Sequence, residues 1–169
     1  MKNLLLLLLL CCKGLFNCCG NDGNDKRDGN GIVNIPDAKF KAYLVRNSAI
    51  NTNGDAEIQV SEAITFNGTI NCSYYGIFNL KGIEAFTALT YLDCSFNKIL
   101  ALDVSSASAL TTLYCGDNRL TSLDVNGASA LTTLYCSNNQ LTSLDVSKNS
   151  ALTSLNCDGN KFDCDALHK

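Results

Sequence analysis

The sequence has no tryptophan, and among its 169 residues there is one histidine, His168, one methionine, Met1, and one proline, Pro36. A lone imidazole next to the last residue leaves little material for acid–base catalysis or for a histidine-bearing zinc site. Charge is scarce too: 17% of residues are Asp, Glu, Lys or Arg, with 16 acids against 13 bases and a formal net charge of -3. No basic block stands out, which argues against nucleic acid, because phosphate neutralisation needs clustered Lys and Arg. At about 150 residues per domain the length allows one domain and a small appendage, which excludes a multidomain enzyme. What is plentiful is apolar: 46% hydrophobic residues suffice to bury a core and do not describe a disordered chain.

Met1-Lys2-Asn3 precedes an unbroken run from Leu4 to Leu10. A charged start and a short apolar run make a signal-peptide pattern, too short to span about 30 Å of hydrocarbon as a helix. The chain is therefore expected to be exported. Cys11, Cys12, Cys18 and Cys19 follow, and then Gly20 to Gly31, a Gly/Asn/Asp-rich stretch without apolar periodicity that reads as a tether. This order resembles a bacterial lipoprotein signal, which implies an acylated cysteine, a membrane anchor and an outer-membrane or cell-surface location. Cys18 and Cys19 are the candidate lipidation sites. Asn17 and Lys13 depart from the usual pattern, Cys12 is an alternative, and a plain secretory peptide with incidental cysteines is the competing reading.

The rest of the chain runs on a clock. Cys94, Cys115, Cys136 and Cys157 lie 21 residues apart, and Cys72 precedes them by 22. Leu89, Leu110, Leu131 and Leu152 stand before them, then Leu92, Leu113, Leu134 and Leu155, while Asn97, Asn118, Asn139 and Asn160 follow. A second half repeats as Leu102-Asp103-Val104, Leu123-Asp124-Val125 and Leu144-Asp145-Val146. One such unit buries nothing alone, whereas stacked units place Leu on Leu and Cys on Cys in a continuous core. Within L-x-L-x-C the alternation has period 2, so a parallel strand with leucine and cysteine inward is predicted. The asparagine column is expected at the turns, bonding backbone groups rather than a ligand.

The unit L-x-x-L-x-C-x-x-N resembles the leucine-rich repeat, with Cys in place of the third leucine. Its 21-residue length and L-x-x-L-D-V half are similar to the short bacterial subtype called IRREKO, and Ile83-Glu84-Ala85-Phe86 is similar to an internalin-type repeat start. The resemblance spans about Ile64 to Phe162. It implies an α/β leucine-rich-repeat class that is mostly β: a right-handed solenoid of about five coils, a parallel sheet, an extended opposite side and a small helical N-terminal cap. The unit of Cys72 has Tyr75 where the asparagine belongs and is expected to be a capping coil. Expected divisions are 1–19 for the signal region, 20–33 for the tether, 34–63 for the cap, 64–162 for the repeats and 163–169 for a partial C-terminal cap.

Ten cysteines in an exported chain would ordinarily form a disulfide framework. In this spacing the five ladder cysteines are expected to point the same way into a dry core as inert thiols. Sulfurs strung along a line also cannot converge on one zinc ion. Cys164 lies off the ladder, and its state is open.

Between tether and repeats, Pro36 and the spacing of Phe40, Tyr43 and Leu44 predict an amphipathic helix over Pro36 to Arg46. The segment from Asn51 to Glu62 fits the spacing of an EF-hand loop, with Asn51, Asn53, Asp55, Glu57 and Glu62 as ligand positions. Asn51 replaces Asp at the first position and Ala56 replaces Gly at the sixth. Two readings stand: one weakly held calcium ion, the sole cofactor expected, or a turn without metal. The layout of helix, loop and cysteine-bearing repeats also resembles the N-terminal region of exported bacterial leucine-rich-repeat proteins.

Outward strand positions form one column of Asn71, Asp93, Tyr114, Tyr135 and Asn156, beside a second that includes Tyr91. Tyr91, Asp93, Tyr114, Tyr135 and Asn156 are the candidate binding residues, because amphipathic rings on a rigid sheet bring contact area at low entropy cost. Ordinary cross-strand stacking is the bland alternative. Asp103, Asp124 and Asp145 form a carboxylate column whose turn donors are expected two residues on, and its regularity offers no asymmetric acid pair for glycoside hydrolysis. The chain thus reads as a non-enzymatic cell-envelope lipoprotein that binds a protein or a surface glycan. The alternative is a spacer or a truncated piece of a larger secreted adhesin with no binding face of its own.

Overall fold

A computed structural model describes residues 31–163; the signal region with Cys18 and Cys19, most of the tether and nearly all of the expected C-terminal cap lie outside them. The described residues begin with two helices, α1 (Ala38–Arg46) and α2 (Val60–Thr65), and continue in seven short strands: β1 (Thr69–Asn71), β2 (Tyr91–Asp93), β3 (Ala101–Asp103), β4 (Thr112–Tyr114), β5 (Ser122–Asp124), β6 (Thr133–Tyr135) and β7 (Ser154–Asn156). The order β1-β2-β4-β6-β7 makes a five-stranded parallel sheet, and β3-β5 make a second, two-stranded one. Each strand is one coil on from its neighbour, so the five strands bound four complete turns of a solenoid.

The register explains the core. Ile70, Leu92, Leu113, Leu134 and Leu155 are direct partners across successive strands. Each sits at the centre of a three-residue strand with its side chain inward, and the residues on either side face out. Leu89, Leu110 and Leu131 stack before them, Ile99, Leu120 and Leu141 after them, all fully buried. Burying one such side chain contributes about 1.5–3 kcal/mol, so the repeated column supplies the stability that a single coil lacks. Toward the C-terminal end Leu152, Leu155 and Phe162 are only partly buried.

The asparagines close the coils by a rule the spacing alone does not reveal. Asn97 donates from Nδ2 to the carbonyls of Cys94 and, one coil earlier, Cys72, both at 2.9 Å, while its Oδ1 accepts from the amide of Ile77. Asn118, Asn139 and Asn160 repeat this pattern. Each asparagine thus serves its own coil and the one before it. The coil of Cys72 has none before it, only the cap, which is why Tyr75 is tolerated there.

The helix expected from Pro36 starts at Ala38, because Asp37 is its N-cap: Oδ1 accepts from the amides of Lys39 and Phe40. Its Oδ2 accepts from the amides of Phe78 and Asn79, 41 and 42 residues away, so one carboxylate caps α1 and clamps it to the first coil. Phe40 and Leu44 of α1, with Ile50, Ile58 and Phe86, cover the open end of the ladder. The chain then turns at Gly82, whose φ of +102° and close approach to Ile35 leave no room for a Cβ, and passes through a 3-10 turn at Ile83–Ala85.

Cys72, Cys94, Cys115, Cys136 and Cys157 are all fully buried. Four are free thiols. Burial, above all, pushes the Cys72 and Cys136 thiols up to about 12 and those of Cys94 and Cys115 well above their ordinary value. Cys157 corrects the expectation of five inert thiols, because it is disulfide-bonded. The four other described cysteines are free, so its partner lies outside the described residues.

Candidate interaction face

On the outer side of the five-stranded sheet the expected columns are in register. Asp93 pairs with Tyr114, Tyr114 with Tyr135 and Tyr135 with Asn156. Tyr91 belongs to the neighbouring column but reaches diagonally to Tyr114, with ring centroids 5.7 Å apart at 73°. Tyr114 and Tyr135 are 5.1 Å apart and tilted. The three rings therefore form one continuous ladder rather than separate exposed side chains. Tyr135, at 39% exposure, is the most open of them. Partial burial, then the Asp93 carboxylate and the Tyr114 ring, raise the phenol of Tyr91 above its ordinary value, so it is a neutral hydroxyl at physiological pH.

The polar residues of this face are held by their own backbone. Asp93 accepts from the Ser95 amide and Asn156 from the Asp158 amide, each two residues on. Ser154 Oγ donates to the Tyr135 hydroxyl at 3.2 Å. The result is a rigid wall of aromatic rings with fixed acceptors beside them, suited to contact rather than to proton transfer. Five strands at about 4.8 Å spacing and about 15 Å of width give roughly 360 Å², below the roughly 800 Å² per partner of a standard interface.

On the opposite side Asp103, Asp124 and Asp145 accept from the amides of Ser105, Asn126 and Ser147, as the spacing predicts. A shallow cleft of about 350 Å³ beside Asp103 and Asp124 is also lined by Lys81 and Glu84.

The EF-hand-like loop closes on itself. Asn51 Nδ2 donates to the carbonyls of Val45 and Asp55. Asn53 Nδ2 donates to Asp55 and Gln59. Glu57 is paired with Lys41 at 2.6 Å. Glu62, nearly buried, accepts through Oε1 from the amides of Thr52 and Asn53 and the Thr52 hydroxyl, and through Oε2 from the Gln59 amide. Burial works to raise this carboxyl, but those donors outweigh it and hold it below the ordinary range. Calcium requires six to eight oxygens about 2.3–2.6 Å away. Of the five positions, Asn51, Asn53, Asp55 and Glu62 turn side-chain oxygens to amides of the loop itself, while Glu57 is drawn to Lys41. Among the described residues no group of three or more His, Cys, Asp or Glu converges to hold a metal ion.

Four aromatic residues escaped the sequence reading as contact residues: Tyr74, Tyr75, Phe78 and Phe96 are all exposed at the turns that follow the strands of the first two coils. Aligning the repeat units would have exposed the signal, because Tyr74 and Phe96 share a repeat position with Asp117, Asn138 and Gly159.

A parallel ladder of short strands, an extended opposite side and an asparagine column make the fold of a leucine-rich-repeat solenoid. The family model "Leucine Rich repeats (2 copies)" matches residues 129–167. Among solved structures, the functional domain of InlJ from Listeria monocytogenes, which includes a cysteine ladder, shares 39% identity with a TM-score of 0.67 over 78% of this chain and 29% of that one. The internalin inlF from Listeria monocytogenes str. 4b F2365 shares 21% identity with a TM-score of 0.50 over 78% of this chain and 46% of that one, which shows the common fold. This chain thus spans less than half the length of either neighbour. Comparison with curated proteins by sequence gives no match.

Proposed function

We propose that the protein is an exported, non-enzymatic interaction module of the bacterial cell envelope, held by an acylated cysteine at Cys18 or Cys19, that binds another protein through Tyr91, Asp93, Tyr114, Tyr135 and Asn156. The observation that carries this reading is the continuous ladder of three tyrosine rings on the outer face of the sheet. Rings already held by one another lose little entropy on binding. The small face gives a weak contact per copy, which many anchored copies convert into avidity. The likeness to the functional domain of InlJ, which includes a cysteine ladder, supports the solenoid as a working part of the protein rather than a linker.

Replacing Tyr91, Tyr114 and Tyr135 together by Ala tests the reading: adhesion of cells displaying the chain should fall while the fold is kept. Adhesion that survives the triple replacement favours the spacer, for which the ring contacts would be purely structural. Metabolic labelling with palmitate, lost when Cys18 and Cys19 are both replaced, tests the anchor.

A further inference from the structure

The outer surface of the solenoid changes character along its length. Two residues after each ladder cysteine the backbone is left-handed: Tyr74, Phe96, Asp117, Asn138 and Gly159 have φ of 63°, 56°, 53°, 55° and 69°. Gly, Asn and Asp adopt this conformation more readily than other residues, and the last three coils use them. The first two carry aromatic rings instead. A second column behaves alike: Phe78, Leu100, Thr121 and Thr142 each follow an inward residue whose amide bonds a ladder asparagine, and only the first two are apolar. Tyr74, Tyr75, Phe78, Phe96 and Leu100 are all exposed, Tyr74 to 71% and Leu100 to 57%. Tyr74 stacks on Phe96 at 4.3 Å and Tyr75 meets Tyr43 at 5.2 Å, yet the five keep much of their surface in water. Apolar side chains gathered at one end of otherwise polar columns mark a contact surface.

The path of the chain says what lies against it. The described residues enter the fold at this corner: Val33 and Ile35 lie against Gly82, and the Asp37 carboxylate accepts from the amides of Phe78 and Asn79. Twelve residues, Gly20 to Gly31, stand between Cys19 and Ile32. A Gly-rich linker of that length spans about 20 Å, while the first two coils occupy only about 10 Å along the solenoid. An anchor at Cys19 therefore holds these turns against the bilayer at an effective concentration on the order of millimolar, an advantage that no protein partner shares. The chemistry agrees, since aromatic rings, above all those with a polar tip, settle at the level of lipid headgroups. Charge does not direct the contact. Lys39 at the Gly76 carbonyl and Lys98 over Phe78 are offset by Asp37, which accepts from four amides, and by Asp117, which accepts from Asn138.

We propose that Tyr74, Tyr75, Phe78, Phe96 and Leu100 form a membrane-docking patch that seats the first two coils at the headgroup level of the bilayer carrying the anchor. This rests on the reading of Cys18 or Cys19 as acylated, and it uses none of the strand-face residues.

The chain has no tryptophan, so Phe96→Trp puts a single indole into the patch. Thr142→Trp, exposed at the repeat position of Phe78 and Leu100 but in a later coil, is the control. Each variant carries a hexahistidine tag in place of residues 1–19, keeps every described residue, and is held on phosphatidylcholine vesicles with a nickel-chelating lipid, so that proximity does not depend on acylation. The probe at position 96 should emit further to the blue than in solution and be quenched by brominated lipid, and the probe at position 142 should do neither. Adding phosphatidylglycerol should change nothing, and Tyr74→Asn with Phe78→Asn should remove most of the shift at position 96. An unshifted probe at position 96, an equal shift at position 142, or a shift that needs phosphatidylglycerol would each overturn the proposal. So would a shift produced without lipid by raising the protein concentration, which assigns the patch to a second copy. None of these outcomes bears on the anchor, which palmitate labelling tests by itself, and a failure of labelling leaves the tagged measurement intact.

Discussion

The side-chain amide of Asn97 donates to the carbonyl of Cys72, a full coil earlier, at 2.9 Å. Asn139 repeats the arrangement deep in the stack, holding the carbonyls of Cys115 and Cys136 and the amide of Leu120. Asn139→Ala strands those buried groups, and at about 1–3 kcal/mol for each unsatisfied group the variant should lose roughly 3 kcal/mol or more. Urea unfolding measures it; a loss below about 1 kcal/mol would show that the column is ornamental.

Asp37 accepts from backbone amides of α1 and of the first coil, and Glu62 from amides of the loop that precedes α2. At Asp37 partial burial raises the carboxyl but the amides of Phe78, Phe40, Lys39 and Asn79 prevail and lower it, and Glu62 is lowered in the same way. A carboxyl lowered in the folded state contributes stability that is complete above its unfolded value, about 4, and is lost as the pH falls toward the folded value. Thermal midpoints should therefore decline as the pH falls below about 4, and Asp37→Asn should flatten that decline while lowering the midpoint at pH 7. An Asp37→Asn profile that runs parallel to the wild type would remove Asp37 from the account.

The ladder thiols should be silent. Cys72, Cys94, Cys115 and Cys136 are buried and their thiols are raised, so a thiol reagent at pH 8 should modify none of them in the native protein and all four after denaturation. Cys157 should react only after reduction. Rapid native labelling of Cys115 would mean that the coil opens there.

Gly127 lies so close to the Ser105 carbonyl of the preceding coil that an added Cβ would overlap it. The contact is with backbone, which cannot rotate away, so Gly127→Ala must push two coils apart. A loss of about 1–3 kcal/mol is expected from calorimetry, as for overpacked cores, and an unchanged midpoint would refute the close stacking at that corner.

The period of 21 residues made the solenoid legible because every coil sees the same surroundings, so Leu92, Leu113 and Leu134 carry the same constraint. The outward tyrosines were readable for the same reason. Termini of the pattern were less so. Asp37 sets the helix start through contacts with Phe78 and Asn79, far off in sequence, and the disulfide of Cys157 looks from spacing like one more ladder thiol. The EF-hand spacing from Asn51 to Glu62 suited both a calcium loop and a turn without metal, and the bonds of Glu62 to amides inside the loop are compatible with either. Tyr74 and Phe96 stand out only against Asp117, Asn138 and Gly159 at the same repeat position, because an aromatic side chain by itself does not mark a left-handed backbone.

The most direct measurement is site-specific photocrosslinking on intact cells, with a benzophenone side chain at Tyr135 on the tyrosine face or at Thr121, exposed elsewhere on the coil. The account predicts one discrete protein adduct from position 135 and none from position 121. Equal adducts from both positions, or none from position 135, would contradict it.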